Sequence, residues 1–219
     1  MIPRWASVAD VGCDHGKLAV HLAERGTPLV IATDISAKSL AKAKALVRDR
    51  HLTQVKTRVS DGLMKLKPGE VDCIVISGLG GPTICEILDN SPAVIGSINR
   101  LVLQPQNAVG AVRAWILNNG FHVDRETIAA EDGRLYQILS AVPGVDGTRI
   151  DTLFDQEIGA VLIRDRHPLL PQLLRERVDT IDTILGELAG AGSPKAQGRR
   201  IELQVLRARC LEVLSWFAR

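Results

Sequence analysis

Short apolar runs alternate with helical stretches through the first half of the chain, and this alternation restricts the fold more than any other feature. The apolar runs are residues 8–11, 29–33, 55–60, 73–77 and 101–103, and the helical stretches are residues 16–25, 36–50, 82–90 and 108–118. Consecutive strands that are separated by a crossover helix pair in parallel. Because the runs are continuously apolar, the strands are expected to be buried on both faces. The sequence therefore predicts an α/β fold with a doubly wound, Rossmann-like sheet.

Residues 121–143 end this region differently. Two strand-like runs flank Asp132-Gly133, a dipeptide that favours a tight turn between antiparallel strands, and Gly120 is suited to end the preceding helix. We therefore expect the parallel sheet to close with an antiparallel hairpin. That ending is usual for a class I methyltransferase sheet, whereas a plain dinucleotide-binding fold ends with another parallel strand.

The pattern changes again after Pro143. We expect a first domain over residues 1–144 and a second domain over residues 145–219, with residues 144–151 as the linker between them. Apolar residues recur at helical spacing on both sides of a Gly/Pro-rich turn at 189–198. Two helices joined by a short turn pack as an antiparallel pair, so the tail is predicted to form a small, coiled-coil-like helical hairpin.

Composition restricts the class and the compartment of the protein. The net charge of +2 and the 3% aromatic content neither indicate nor exclude a nucleic-acid partner. The cysteines are far apart without a CxxC pair, which favours free thiols over a disulfide framework or a zinc site. No apolar run approaches the ~18 residues of a membrane span, and the segment before Val8 is too short for a signal peptide. We expect a cytoplasmic protein without a metal or a membrane association.

The loop after the first apolar run is the principal candidate site. Asp10 and Gly12 begin it like a nucleotide-binding loop, but Asp14 stands where a dinucleotide fold would have its second glycine. A pyrophosphate needs bare backbone N–H groups and no nearby anion. S-adenosylmethionine has no phosphate and carries a sulfonium and an ammonium group, so Asp10 and Asp14 favour it over NAD. The alternative is that Asp14 only caps the helix that follows.

Acidic residues also end the next two predicted strands. Asp34 ends the second strand, where an acidic residue can accept hydrogen bonds from both ribose hydroxyls. It could instead cap the helix 36–50, although Ser36 could also serve as that cap. Asp61 ends the third strand and precedes Gly62, at a place where the exocyclic amine of adenine is often held. Acids at successive strand ends therefore predict a site for S-adenosylmethionine.

Several motifs, taken in order, resemble the bacterial tRNA (adenine-22-N1)-methyltransferase family. They are ADVGCDHGKLAVHL, ATDIS, SDGL, IVISGLGG, LVLQP and EDGRLYQIL. The resemblance covers about residues 8–143, and residues 157–185 resemble the C-terminal helical hairpin of the family. It implies methyl transfer from S-adenosylmethionine to N1 of an adenine in tRNA, at position 22. From these motifs we add four residues to the cofactor site, namely His15, Ile35, Ser77 and Gly78. For His15, a structural hydrogen-bonding role is the alternative.

The chain departs from the family pattern at several positions. Cys13 replaces a serine or threonine, Leu79 replaces a methionine, Gln106 replaces an asparagine and Gln137 replaces a glutamate. Family members usually begin with a helix before the first strand, and this sequence has only a short segment there.

The chemistry implied by the family needs little from the protein beyond positioning. Adenine N1 has a free lone pair, so no base is needed to expose it and no residue is assigned as an acid or base. Because N1 lies on the Watson–Crick edge, the target must be unpaired. We assign Gly80 and Gly81 to the base pocket, where glycine lets the backbone approach a ring closely. Gln104 and Asn107 are candidates to read the base edge, with a strand-ending turn as the alternative for Gln104-Pro105.

Contact with RNA is expected to be electrostatic. Basic residues cluster within 38–58, with Asp49 as the opposing charge in that stretch, and a solvated helix face is the alternative. They are Lys38, Lys42, Lys44, Arg48, Arg50, Lys56 and Arg58. The tail balances acidic and basic residues, so it could contact RNA through Lys195, Arg199 and Arg200 or mediate self-association, which leaves the oligomeric state open. A methyltransferase with another substrate, or a non-enzymatic relative that binds RNA or a partner, remain alternative functions.

Overall fold

The computed structural model describes residues 1–144, 152–190 and 192–217. The strands are β1 (Val8–Val11), β2 (Val30–Asp34), β3 (Val55–Val59), β4 (Cys73–Leu79), β5 (Arg100–Pro105), β6 (Phe121–Glu131) and β7 (Arg134–Pro143). The helices among them are α1 (Lys17–Glu24), α2 (Ala37–Asp49), α3 (Gly81–Asp89), α4 (Pro92–Ile95) and α5 (Val109–Asn118). Every strand and helix predicted for this region is present, with small shifts at the ends. Helix α4 was not predicted, because one turn is too short to show a helical period.

The strands form one seven-stranded sheet in the order β3-β2-β1-β4-β5-β7-β6. Strand β1 pairs in parallel with β2 and with β4, whereas β5 pairs antiparallel with β7. All residues of β1 are buried, as expected for a strand that is covered by helices on both faces. The predicted fold class is confirmed. The chain order reverses between β1 and β4, and ligands of such sheets bind at the carboxyl ends of the strands next to this point.

The predicted turn at Asp132-Gly133 joins β6 to β7. Both residues have positive φ, at +49° and +74°, which matches the two-residue turns that favour the twist of antiparallel strands. Asparagine, aspartate and glycine adopt this left-handed conformation most readily.

A buried ion pair connects α5 with this hairpin. Arg113 Nε lies 2.7 Å from Glu126 Oε1, and the side chains are only 1% and 2% exposed. Arg113 also donates to Gln137 Oε1 over 2.6 Å. The amide of Gln137, where the family has a glutamate, therefore gives the guanidinium a second acceptor without a second negative charge.

The chain divides into two compact units. The first comprises Met1–Ala129 and Tyr136–Asp146, and the second comprises Ala130–Leu135 and Gly147–Arg219. The predicted linker at 144–151 lies outside the described residues except for Gly144, so the domain boundary at 144/145 stays a prediction. The grouping of the hairpin tip with the second unit was not expected from the sequence.

The second unit is helical. It contains a π-helical turn (Asp155–Gly159), α6 (Ala160–Arg164), α7 (Leu170–Glu187), a 3-10 turn (Leu188–Gly190) and α8 (Pro194–Ser215). Helices α7 and α8 pack against each other, and Arg207 forms two hydrogen bonds with Asp182 across the pair, of 2.5 and 3.0 Å. Residue 191, in the predicted turn, is outside the described residues. In the described part of the chain, no helix is long and apolar enough to cross a membrane.

Candidate cofactor and substrate site

A cleft of about 630 Å³ opens at the carboxyl ends of β1, β2, β3 and β4. Most of the cofactor residues predicted from the sequence line it, namely Gly12, Asp14, Asp34, Ile35, Asp61, Gly62, Ser77 and Gly78. Asp10 and His15 are not part of its wall. The cleft is also lined by Thr83 and Ile87 of α3, which the sequence reasoning missed. Their spacing of four residues, directly after the glycine-rich loop, is the signal that could have identified them.

The loop between β1 and α1 is fixed by hydrogen bonds to β2. The backbone N–H groups of Gly12 and Cys13 both donate to Thr33 O over 2.9 Å, and that of Asp14 donates to Asp34 Oδ2 over 2.9 Å. Helix α1 begins after Gly16, which has a φ of +73° and no side-chain cap. Asp14 is therefore not the cap of α1, and its carboxylate is left on the wall of the cleft.

Gly16 is required at its position for two reasons. Its positive φ strains any residue with a side chain, and an added Cβ would lie 2.7 Å from Ala43 Cβ in α2. This close approach seats the loop on α2 and so sets the distance between the β1 loop and the end of β2.

Asp34 accepts hydrogen bonds from backbone groups of the loop after β1 and of the loop after β2. Its Oδ1 accepts from Ser36 N–H over 2.8 Å, in addition to the bond from Asp14 N–H to Oδ2. Helix α2 is capped by Ser36, whose hydroxyl accepts from Ser39 N–H over 3.2 Å. Asp34 is thus not the cap. Each carboxylate oxygen can accept more than one hydrogen bond, so capacity remains for a ligand in the cleft.

Asp10 lies beneath the loop, with a relative exposure of 2%. Burial raises the pKa of its carboxyl from 3.8 to about 7; a hydrogen bond from Ala19 N–H opposes this shift, and the charge of Asp34 adds to it. Within the described residues its Oδ2 has no hydrogen-bond partner. From the sequence, Asp10 was predicted to be one of the negative charges that face the ligand. In the structure it is instead buried below the cleft, where it holds the first turn of α1.

His15 bridges Asp14 and Lys42. Its Nδ1 lies 3.1 Å from Asp14 Oδ2, and its Nε2 lies 2.8 Å from Lys42 Nζ. An ammonium group can only donate, so this contact requires an unprotonated Nε2 and places the ring proton on Nδ1. The geometry favours the structural role for His15 over a direct contact with the cofactor.

The end of β3 contributes a tight turn to the cleft. Ser60 Oγ donates to Gly62 O over 3.0 Å and accepts from Lys65 N–H over 3.1 Å, which leaves the Asp61 side chain exposed. Gly62 has a φ of +48°, and a Cβ there would lie 2.9 Å from Ile87 Cγ2. Glycine therefore allows α3 to close one side of the cleft.

Side-chain amides connect the glycine-rich loop after β4 to the end of β5. Gly78 N–H donates to Gln104 Oε1 over 2.9 Å, and Gly81 N–H donates to Asn107 Oδ1 over 3.1 Å. Gln104 Nε2 lies 3.3 Å from Pro105 O. Gln104 and Asn107, predicted to read the base edge, thus use these groups to fix the loop that contains Gly80 and Gly81.

We expect replacement of Gly81 by alanine to lower the free energy of unfolding by about 1–3 kcal/mol, the usual cost of overpacking. An added Cβ would lie 2.7 Å from Ala108 O and 2.8 Å from Asn107 O, and these backbone atoms cannot rotate away. Urea denaturation measures the effect. Gly198→Ala is the matched control, since a Cβ there meets nothing within 4 Å and alanine favours the helix. Equal stability of Gly81→Ala and the wild type would show that the two loops are not tightly packed.

The described residues contain neither a candidate metal site nor a reactive thiol near the cleft. There, no three His, Cys, Asp or Glu side chains are grouped so that they could hold a metal ion. The cysteines are free, and burial, followed by the charges of Asp10 and Asp34, raises the pKa of Cys13 to about 12. The Cys13 thiol therefore stays protonated at neutral pH and acts as a packing residue.

A sheet of this order, closed by an antiparallel hairpin and bearing an acidic cleft at its carboxyl edge, defines a class I, Rossmann-like methyltransferase. The model of the methyltransferase domain family matches residues 1–139.

The chain is also similar in sequence to named tRNA methyltransferases. The chain is 33% identical over 145 residues to the tRNA (adenine(22)-N(1))-methyltransferase of Bacillus subtilis, a match that spans 65% of this chain and 61% of that protein. It is 35% identical over 156 residues to a putative tRNA methyltransferase of Mycoplasma pneumoniae, covering 70% of this chain and 69% of that protein.

A solved structure of a similarly named protein has the same fold as this chain. A putative tRNA (m1A22) methyltransferase of Streptococcus pneumoniae, in complex with S-adenosyl-L-methionine, matches with a TM-score of 0.83 and 27% identity, over 96% of this chain and 92% of that one. The chain therefore belongs to the methyltransferase domain family. Its similarity to proteins named tRNA (adenine(22)-N(1))-methyltransferases confirms the resemblance seen in the sequence.

Proposed function

We propose that this protein transfers the methyl group of S-adenosylmethionine to N1 of an adenine in tRNA, at position 22 as in its named relative. The observation that carries the proposal is the charge of the cleft. Asp14, Asp34 and Asp61 line it, and no lysine or arginine is among its lining residues in the described part of the chain. Such a wall attracts a sulfonium and an ammonium group and repels a diphosphate.

The residues of the cleft fit each part of this cofactor. The volume of about 630 Å³ lies in the range of small-molecule sites. We assign the ribose hydroxyls to Asp34, the adenine amine to Asp61 with Gly62, and the ammonium group to Asp14. Ile35 offers an exposed apolar side chain to the adenine ring, and Ser77 with Gly78 forms the wall nearest the reacting end. Asp10 and His15 support the loop from outside the cleft.

The protein contributes positioning to the reaction. Bound S-adenosylmethionine supplies a methyl carbon on a cationic sulfur; the bond from adenine N1 to this carbon forms as the sulfur–carbon bond breaks, and the positive charge passes to the base. No side chain has to remove a proton, because N1 attacks with its own lone pair. Gly80 and Gly81 let the backbone lie close to the unpaired base, and the amides of Gln104 and Asn107 fix that backbone.

The charges around α2 support an RNA surface that is smaller than the sequence suggests. Arg50 pairs with Glu24 over 2.7 Å, Arg58 pairs with Glu70 over 2.6 Å, and Arg48 lies 3.5 Å from Asp49. Lys38, Lys42, Lys44 and Lys56 are exposed and have no ion pair within the described residues. Because α2 begins beside the cleft, we assign the phosphate contacts nearest the target to Lys38 and Lys42. We also place the protein in the cytoplasm, where tRNA is available.

The test is methylation of unmodified tRNA transcripts, followed by mass spectrometry of the nucleosides and by titration calorimetry of the cofactor. We expect 1-methyladenosine, and we expect binding of S-adenosylmethionine but not of NADH. Methylation of a different nucleoside or of a small molecule would refute the substrate. Binding of NADH in place of S-adenosylmethionine would refute the proposal as a whole.

Replacement of Asp34 by alanine is expected to weaken binding of S-adenosylmethionine by about 1–3 kcal/mol, because the ribose hydroxyls lose a charged acceptor. The variant also releases Asp14 N–H, which loses its bond to Oδ2. Calorimetric titration of the cofactor measures the loss. Asp49→Ala is the control, since this exposed carboxylate on α2 is not part of the cleft wall. Unchanged affinity in Asp34→Ala would remove Asp34 from the cofactor site.

A further inference from the structure

Gln106 lies in the loop after β5, and its side-chain amide is exposed. Its backbone N–H donates to Leu79 O over 2.8 Å, which ties the residue to the glycine-rich loop. Its side chain is exposed and makes no hydrogen bond with any described residue. The neighbouring amides of Gln104 and Asn107 are both used to hold backbone N–H groups of that loop.

The position of Gln106 brings this amide close to Gly78, a residue of the cleft wall. Gln106 Nε2 lies 3.8 Å from the point where a Cβ on Gly78 would be, so the amide stands directly over Gly78. Gly78 is part of the cleft wall, next to Ser77 and Leu79. A base presented to the reacting end of the cofactor would therefore lie within reach of this side chain.

The chemistry of the target suits a carboxamide at this place. The Watson–Crick edge of adenine presents an amine that donates at N6 and a lone pair at N1. An acceptor that takes a hydrogen bond from the amine orients the ring and leaves the lone pair free for the methyl group. As the methyl group transfers, the ring becomes positive and its amine becomes a stronger donor, so this hydrogen bond strengthens in the transition state.

We propose that Gln106 contacts the target base and accepts a hydrogen bond from its exocyclic amine through Oε1. The inference rests on the proposed function and assigns the base-edge contact to a residue that the sequence had treated only as a departure from the family pattern. In this proposal Gln106 contacts the base directly and stabilises the transition state. Gln104 and Asn107 instead position the backbone of the glycine-rich loop.

The experiment compares Gln106→Leu and Gln106→Glu with the wild type, using tRNA methylation and calorimetric binding of S-adenosylmethionine. Leucine keeps the size of the side chain and removes the acceptor, and we expect kcat/KM for tRNA to fall by about 10–100-fold, mostly through kcat. Glutamate keeps the acceptor, so this variant should retain activity well above that of Gln106→Leu. Both variants should bind the cofactor within about twofold of the wild type. Gln204→Leu, an exposed glutamine on α8, is the matched control.

Three other results would contradict the inference about Gln106. Wild-type rates in Gln106→Leu would overturn the inference and leave the proposed function standing. A loss of cofactor affinity as large as the loss of activity would also overturn it, because it would place Gln106 in the cofactor wall. If the wild-type protein forms no 1-methyladenosine in tRNA, the proposed function and this inference both fall.

Discussion

Replacement of Glu126 by alanine is expected to lower the free energy of unfolding by about 3–5 kcal/mol, because it leaves a buried charge without its ionic partner. Arg113 and Glu126 are 1% and 2% exposed, so water cannot substitute for the lost carboxylate. Gln137 Oε1 would remain as an acceptor 2.6 Å from Arg113, but a neutral amide does not balance a guanidinium charge. Denaturation followed through Trp115, which lies in the same helix, measures the change.

Two further variants serve as controls for the loss of stability in Glu126→Ala. Glu24→Ala removes the partner of Arg50 in an exposed ion pair and should cost no more than about 1 kcal/mol. The double variant Arg113→Met with Glu126→Leu removes both charges and should recover much of the lost stability, since well-packed apolar residues often replace buried ion pairs without cost. A loss below about 1 kcal/mol in Glu126→Ala would show that water reaches the pair.

The unfolding free energy is expected to fall by roughly 3 kcal/mol between pH 4 and pH 7 through Asp10 alone. Burial raises the pKa of this carboxyl from 3.8 to about 7 in the folded protein. Between these values the unfolded chain has lost the proton while the folded protein retains it, so each rise in pH favours unfolding. The contribution is fully present below pH 3.8 and is lost as the pH passes about 7.

The measurement is the difference in stability between the wild type and Asp10→Asn over this range of pH. Asparagine cannot ionise, so the difference should move in favour of the variant as the pH rises. A difference that does not change with pH would show that Asp10 is ionised throughout this range in the folded protein. The measurement is made without S-adenosylhomocysteine, because a bound ligand would itself stabilise the folded protein.

The sheet and the acids of its cleft could be predicted from the sequence for simple physical reasons. Buried parallel strands need continuous apolar runs, and a crossover helix has to lie between them, so the order of elements is visible in the residues themselves. Because the carboxyl ends of parallel strands meet at one edge, Asp34 and Asp61 could be placed together although 26 residues separate them. The cleft contains both.

What the sequence could not provide depends on long-range contacts. Nothing local indicates that Arg58 pairs with Glu70 or Arg50 with Glu24, so the basic cluster was predicted to be larger than it is. The position of Asp10 beneath its loop follows from the packing of α1 rather than from its place at a strand end. Sequence spacing also could not separate Gln104 and Asn107, whose amides bind backbone groups, from Gln106, whose amide is exposed.

The hydrogen bonds that join the loops after β4 and β5 have a consequence for the binding of the two reactants. Gly78 lies in the wall of the cleft, and the same short segment contains Gly80 and Gly81, which we assign to the base pocket. Binding of one reactant should therefore order the backbone that contacts the other reactant, and this coupling is reciprocal. We expect S-adenosylhomocysteine to tighten the binding of tRNA, and tRNA to tighten the binding of S-adenosylhomocysteine by the same factor.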